Sequence, residues 1–235
     1  MLVLCTGMYR SGSTWSYNVS RETLLLRNEG GTLYCDAVDD IQGVLINKAP
    51  EYHHVLLKCH SPDELGKSLI MHDCCKVIVT FREPLEAISS AMQVFGWTFA
   101  EALNRIESSL ELIKVCLNHA LCINHERIKS HPKDEIIRIA TYLGYQIDNS
   151  AVERINDKFN WDKVKVFTDR LALDRSSFAE DELKDTGLSY YDQVTLFHRG
   201  HVRDRSAPSW NVYLTEDQQE LARIRLAHSS VLFQD

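Results

Sequence analysis

Near the N-terminus the stretch Gly7-Met8-Tyr9-Arg10-Ser11-Gly12-Ser13-Thr14-Trp15 holds the parts of an anion-binding loop. Gly7 and Gly12 stand five positions apart, hydroxyl residues follow, and Arg10 supplies a fixed positive charge. A glycine-containing turn between a strand and a helix offers backbone N–H groups and the positive end of the helix to an anion. Ser11, Ser13 and Thr14 would add hydroxyl donors. The alternative is an ordinary strand-to-helix turn that uses glycine for its backbone freedom. The spacing is that of a P-loop, G-x-x-x-x-G-K-[ST], but Ser13 stands where that motif has lysine. In nucleoside triphosphatases the lysine reaches the β- and γ-phosphates, and an acidic residue helps to hold Mg²⁺. Here the later apolar run Lys76–Phe81 leads into Arg82, a cation that repels a metal and attracts a second phosphate. The pattern therefore asks for a ligand with two separated anionic groups and no necessary metal, and it disfavours a kinase or ATPase.

Two further groups of residues have chemical potential. Lys58 and His60 are two positions apart, so a continuing strand places both on one face. Histidine titrates in the working range of a general base, and a neighbouring lysine suits an anion; the alternatives are a structural histidine and an ordinary exposed lysine. Cys116, His119, Cys122 and His125 recur every three residues and are all potential zinc ligands. They straddle a change from helix to strand and match no common zinc module, so no metal site is assigned.

These residues need a scaffold. Short runs rich in Val, Ile and Leu at Leu2–Thr6, Val55–Lys58, Lys76–Phe81 and about Ala120–Asn124 read as buried strands. Longer helical patterns separate them, which predicts βαβ units. From Thr98 to Leu117, a capping box (Thr98, Glu101) precedes apolar residues at three- and four-residue intervals. A second helix follows Pro132 and ends at Gly144, the region from about 146 to 190 reads as polar helix, with Ala179–Asp185 a solvated charged run, and a last helix follows Thr215. The expected fold class is α/β: a single domain over residues 1–235, with a mostly parallel central sheet flanked by helices.

The 235 residues carry a formal net charge of −7, which argues against general binding to nucleic acid or an anionic membrane. Seven cysteines, an odd number that includes the neighbours Cys74 and Cys75, read as thiols of a reducing compartment. With no leader or membrane span visible in the sequence, the expectation is a cytoplasmic protein with no membrane partner.

At this point the residues resemble a family, the sulfotransferases that use 3′-phosphoadenosine 5′-phosphosulfate (PAPS). "YRSGSTW" is similar to the 5′-phosphosulfate loop, P-K-S-G-T-T-W in its cytosolic form, and "LLKCHSP" to the L-K-T-H segment with the catalytic histidine. "VIVTFREPLEAISSAM" resembles the 3′-phosphate motif, an arginine followed eight residues later by a serine, here Arg82 and Ser90. "HRGHVRDRSAPSWNVYLTEDQ" resembles the C-terminal motif R-K-G-x-x-G-D-W-K with its following F-T-x-x-Q, and "HERIKSHPKDEI" more loosely the segment Y-E-D-M-x-x-x-P-x-x-E-I. The order and spacing, over residues 3 to about 219, carry the resemblance. There are departures: Arg10 for the loop lysine, His198 for the first arginine of the C-terminal motif, His125 at the adenine-side tyrosine, and no K-x-x-x-T-V-x-x-x-E dimer signature.

The resemblance implies a P-loop nucleotide-hydrolase-like sulfotransferase fold, with PAPS as sulfonate donor, adenosine 3′,5′-bisphosphate (PAP) as product and no metal requirement. It implies His60 as general base, Lys58 and Arg10 as the charges on the transferring and departing groups, and an acceptor with a hydroxyl or amine; with no membrane anchor visible in the sequence, a soluble small-molecule acceptor is the expectation. The 5′-phosphate would be held by Arg10, Ser11, Gly12, Ser13 and Thr14, with Trp15 against the adenine. Arg82, Ser90, Arg199 and Gly200 would hold the 3′-phosphate. The competing expectations are a P-loop nucleotide or small-molecule kinase and a nucleotide-binding relative without catalysis. Oligomeric state is not specified by the sequence.

Overall fold

The structure, a computed structural model, describes residues 1–26, 31–171, 192–203 and 209–227. The charged run Ala179–Asp185 lies outside the described residues, as do 204–208 of the C-terminal basic loop. The chain divides into two compact units, Met1–Arg82 with Ser109–Phe159, and Glu83–Ser108 with Asn160–Asp235.

The first unit is built on a five-stranded sheet: β1 (Leu2–Gly7), β2 (Leu33–Ala37), β3 (His54–Lys58), β4 (Lys76–Phe81) and β5 (Ala120–Asn124). The strand order is β2-β3-β1-β4-β5, and each adjacent pair is parallel. The four apolar runs of the sequence are β1, β3, β4 and β5, as expected of parallel strands covered on both faces. Val3, Leu4, Leu56, Leu57, Val77, Ile78 and Val79 are fully buried. β2 was not expected. It lies at the sheet edge and its residues are half-exposed, so its sequence shows no apolar run.

Helix α1 (Ser13–Leu26) follows β1 and packs against β1, β3 and the later helix α7 (Pro132–Tyr142). It is buried although many of its residues are polar. Ser16, Asn18, Ser20 and Thr23 donate side-chain hydrogen bonds to Ser13 O, Thr14 O, Ser16 O and Val19 O of the same helix. Each of these four buried donors is satisfied within one turn, so their helix face behaves as core. Helices α2 (Ile41–Asn47) and α3 (Glu64–Met71) are capped by Asp40 and Asp63. α6 (His125–Ser130), α7 (Pro132–Tyr142) and α8 (Asn149–Lys158) complete the unit. Pro132 opens α7, and Gly144 follows it in the left-handed region at φ 87°.

The second unit holds α4 (Pro84–Phe95), the first half of α5 (Phe99–Cys116), α9 (Trp161–Arg170) and α10 (Glu216–Leu226). The expected capping box is present: Thr98 N–H donates to Glu101 Oε2 at 2.7 Å and Glu101 N–H to Thr98 Oγ1 at 3.3 Å. Thr215 and Gln218 form a second one at α10. Within this unit α4 packs against a short 3₁₀ turn at Trp210–Val212.

Candidate active site

From the central strand β1 the chain passes to β2 on one side, while from its neighbour β4 it passes to β5 on the other. The carboxyl ends of β1 and β4 therefore flank a topological switch point, where open parallel sheets bind ligands. Gly7 and Thr80 are register partners there. A Cβ on Gly7 would lie 2.1 Å from Thr80 O, and its φ of 133° strains any other residue, so close strand approach requires this glycine.

Beyond Gly7 the loop turns sharply. Ser11 N–H donates to Met8 O at 3.3 Å, closing a four-residue turn with Arg10 at its third position. Arg10 has a φ of 65°, in the left-handed region that favours glycine. This is the type II pattern, and a non-glycine residue there costs energy. The Arg10 carbonyl accepts from Arg82 Nη1 at 3.5 Å, which brings the two predicted cations to one place. Gly12, with φ 98°, leads into α1; a Cβ on it would meet Ile128 Cδ1 at 2.7 Å.

The hydroxyls of the loop divide into two kinds. Ser11 is buried, its Oγ 2.6 Å from Met8 O, 3.0 Å from Thr80 O and 2.7 Å from Thr80 Oγ1. It ties the loop to β4, and its side chain is committed there. The hydroxyls of Ser13 and Thr14 take no part in the hydrogen bonds that organise the loop among the described residues. The first intrahelical bond at this end of α1 is Ser16 N–H to Gly12 O at 3.0 Å. The N–H groups of Ser13, Thr14 and Trp15 precede it and have no intrahelical acceptor. Trp15 is 9% exposed, inside the first turn of α1.

Lys58 ends β3 and His60 follows two residues later, their side chains meeting with Lys58 Nζ 3.2 Å from His60 Nε2. His60 Nδ1 lies 3.0 Å from Gly7 O; a carbonyl only accepts, so Nδ1 carries the proton and Nε2 the lone pair. The backbone beneath is pinned by Asp39, whose Oδ1 accepts from the N–H groups of His60 and Ser61, each at 2.9 Å. Burial pushes the Lys58 ammonium down to about 8; the nearby Asp39 carboxylate opposes that shift only in part. Behind Gly12, burial, aided by the Arg82 charge, lowers His125 to about 4, so its ring is neutral at physiological pH.

The first unit thus brings together Arg10, Ser11, Gly12, Ser13, Thr14 and Arg82, and beside Gly7 the pair Lys58 and His60. The other predicted anion ligands belong to the second unit. Ser90 is buried on α4, and Arg199 and Gly200 are exposed, Gly200 with φ 69°. Three contributors escaped the sequence reading: Thr80, which anchors Ser11; Asp39, which holds the His60 backbone; and Tyr9, whose ring lies on the His60 imidazole. Only Tyr9 left a visible signal, an aromatic residue inside an otherwise small and polar loop. As for the possible zinc quartet, Cys116 ends α5, His119 bonds Asp73 at 2.9 Å and His125 opens α6; among the described residues no group of three or more ligands is suited to a metal. No helix among the described residues is long and apolar enough to cross a membrane.

No protein-family model matches the sequence, and no curated protein matches it. Solved structures do. Retinol dehydratase in complex with androsterone and the inactive cofactor PAP superposes with a TM-score of 0.64 at 14% identity, covering 97% of this chain and 80% of that one. Mouse sulfotransferase SULT7A1 complexed with PAP gives 0.62 at 16% identity, with 97% and 83% covered. Retinol dehydratase with retinol and PAP gives 0.63 at 14% identity, with 97% and 80% covered. The chain therefore has the fold of these proteins, the parallel α/β architecture expected from its motifs.

Proposed function

We propose that this chain is a PAPS-dependent sulfotransferase that moves a sulfonate to the hydroxyl or amine of a small-molecule acceptor and leaves PAP. The observation that carries the reading is the Lys58–His60 pair set against Gly7, at the mouth of an anion loop on a fold whose solved examples hold PAP. The residues present fit such a nucleotide. The hydroxyls of Ser13 and Thr14, uncommitted among the described residues, the amino end of α1 and the guanidinium groups of Arg10 and Arg82 form an anion-attracting set. Arg82, in the place of a metal-holding carboxylate, favours this reading over a kinase.

PAPS supplies an activated S–O bond that breaks toward the 5′-phosphate. Arg10 and the amino end of α1 stabilise the charge that gathers on the departing phosphate. Lys58 balances the sulfonate oxygens. His60 Nε2 accepts the acceptor's proton, while Gly7 O holds the opposite nitrogen and so stabilises the imidazolium that forms. Arg82, beside the loop, meets the 3′-phosphate with a planar guanidinium suited to bidentate contact. A small-molecule acceptor is supported by the androsterone and retinol held in the retinol dehydratase structures. Cytoplasmic residence is part of the same proposal, and the free cysteines among the described residues support it.

Isothermal calorimetry with PAP in the absence of metal tests the binding half. The expected result is clear binding that Arg82→Ala weakens by about 2 kcal/mol or more, the scale of a charge-assisted contact. Tighter binding of ATP with Mg²⁺ would give the kinase reading the advantage. His60→Ala should keep PAP affinity and lose labelled-sulfonate transfer from PAPS to a metabolite panel; undiminished transfer would remove His60 from the base role.

A further inference from the structure

The Tyr9 and His60 rings lie face to face, with centroids 4.1 Å apart and planes 16° from parallel. This contact joins the anion loop to the residue assigned the proton, and no motif of the chain assigns Tyr9 a role. We propose that Tyr9 is a positioning residue for His60: it locks the imidazole plane so that Nε2 stays directed to the Lys58 side. The meaning for catalysis rests on the sulfotransferase reading above; the geometric effect on the ring does not.

A histidine side chain turns about two torsions, and its terminal one is broad. The Nδ1–H bond to Gly7 O at 3.0 Å is a single hold on one edge of the ring, and a ring that rocks about its broad terminal torsion breaks that bond and with it the choice of tautomer. A stacked aromatic face opposes this rocking, since offset stacking is preferred to an open edge. Asp39 holds the backbone below through the N–H groups of His60 and Ser61. Three supports from two segments thus define one ring orientation. Two of them, Gly7 O and the Tyr9 ring, belong to the loop itself.

The local chain explains why Tyr9 reaches this position. Gly7 and Arg10 both have positive φ, and the Met8–Ser11 turn between them makes Tyr9 its second residue. Ser11 pins the end of that turn to β4 through Thr80. The turn therefore stands on the sheet as a fixed bracket with an aromatic arm. In the P-K-S-G-T-T-W form of the motif the corresponding residue is proline, which offers no ring face of this kind. The proposed base of this chain is thus held by its own anion loop.

The test uses the full chain with ¹⁵N-labelled histidine, at a pH where the His60 ring is neutral, and the variants Tyr9→Phe, Tyr9→Leu and Tyr9→Ala. Wild type and Tyr9→Phe should show His60 as a single Nδ1–H tautomer. Tyr9→Leu, of similar bulk but without a stacking face, and Tyr9→Ala should show averaged tautomers. PAP affinity by calorimetry should stay within about twofold, because the stack does not touch the nucleotide-holding groups. With PAPS and water as acceptor, water gives a proton to His60 and takes the sulfonate, releasing sulfate and PAP. That turnover should fall about fivefold in kcat for Tyr9→Leu with the KM for PAPS unchanged, and be restored in Tyr9→Phe.

A Tyr9→Leu protein with the wild-type tautomer would overturn the proposal, and so would a Tyr9→Phe protein as impaired as Tyr9→Ala. Should Tyr9→Ala fail to fold, the Leu and Phe pair decides. Wild-type protein that binds no PAP and consumes no PAPS would defeat the functional reading instead, while the tautomer spectra still decide what Tyr9 does to the ring.

Discussion

Lys58 combines a charge with burial, and the two pull against each other. Its folded value of about 8 lies below the ordinary lysine range near 10.4, so the folded state bears a penalty wherever both states are charged. That penalty is complete below pH 8, shrinks as pH rises, and is gone above the unfolded value. Lys58→Met should therefore raise stability in urea unfolding at pH 7 by about 1–2 kcal/mol, with the gain fading toward pH 10. In the same window kcat/KM for PAPS should fall as pH rises through 8, because the free site then loses the cation that meets the sulfonate. A profile flat to pH 9 would remove Lys58 from that role. Arg10 shows the opposite trade. Its φ of 65° costs about 1–2 kcal/mol for a side chain with a Cβ, and glycine returns part of this as unfolded-state entropy. Arg10→Gly is expected to gain about 0.5–1 kcal/mol of stability while PAP affinity falls at least tenfold. Stability lost together with affinity would mean that the turn is not strained.

At the scale of elements, Glu135 on α7 has a job unrelated to chemistry. It is fully buried, and both Arg127 of α6 and Arg138 of its own helix pair with its carboxylate at 2.5 Å. Both arginines are more than two-fifths exposed, so on losing the carboxylate they return to water. The cost of Glu135→Ala should thus be about 2 kcal/mol, below that of a pair sealed on both sides, and thermal melting checks it. A Tm drop with unchanged PAP binding would fit a purely structural role. This glutamate lies in the loosest of the resembling segments, where sequence alone gave no reason for it. Elements were legible where one physical rule dominated. Thr98 and Glu101 announced α5 because a capping box is a local device, and β1 and β4 announced themselves as runs too apolar to be exposed. β2 was hidden because an edge strand with Asp36 within it has no need to be apolar. The interior of α1 gave no continuous apolar stripe either, because Ser16, Ser20 and Thr23 among its buried positions are hydroxyls bonded back to the helix.

For the whole molecule, fold and loop were readable from separated short motifs, even though the similar solved structures share only 14–16% of their residues with this chain. Those motifs sit at strand ends, where backbone geometry and charge restrict the choice of residue. The supports behind them were not readable: Tyr9, Asp39 and Thr80 act through contacts between segments distant in sequence, which no spacing rule reports. In the proposed reaction one contact would set the order of events. Lys58 Nζ stands 3.2 Å from the nitrogen of His60 to which the proposal assigns the acceptor's proton. In the resting site that lone pair is occupied by an ammonium hydrogen. A sulfonate drawing the ammonium to itself uncovers it, so an acceptor that arrives first meets a base still engaged. On that proposal the pair would work as an interlock, in which proton abstraction is armed by the donor's own charge and stays disarmed without it.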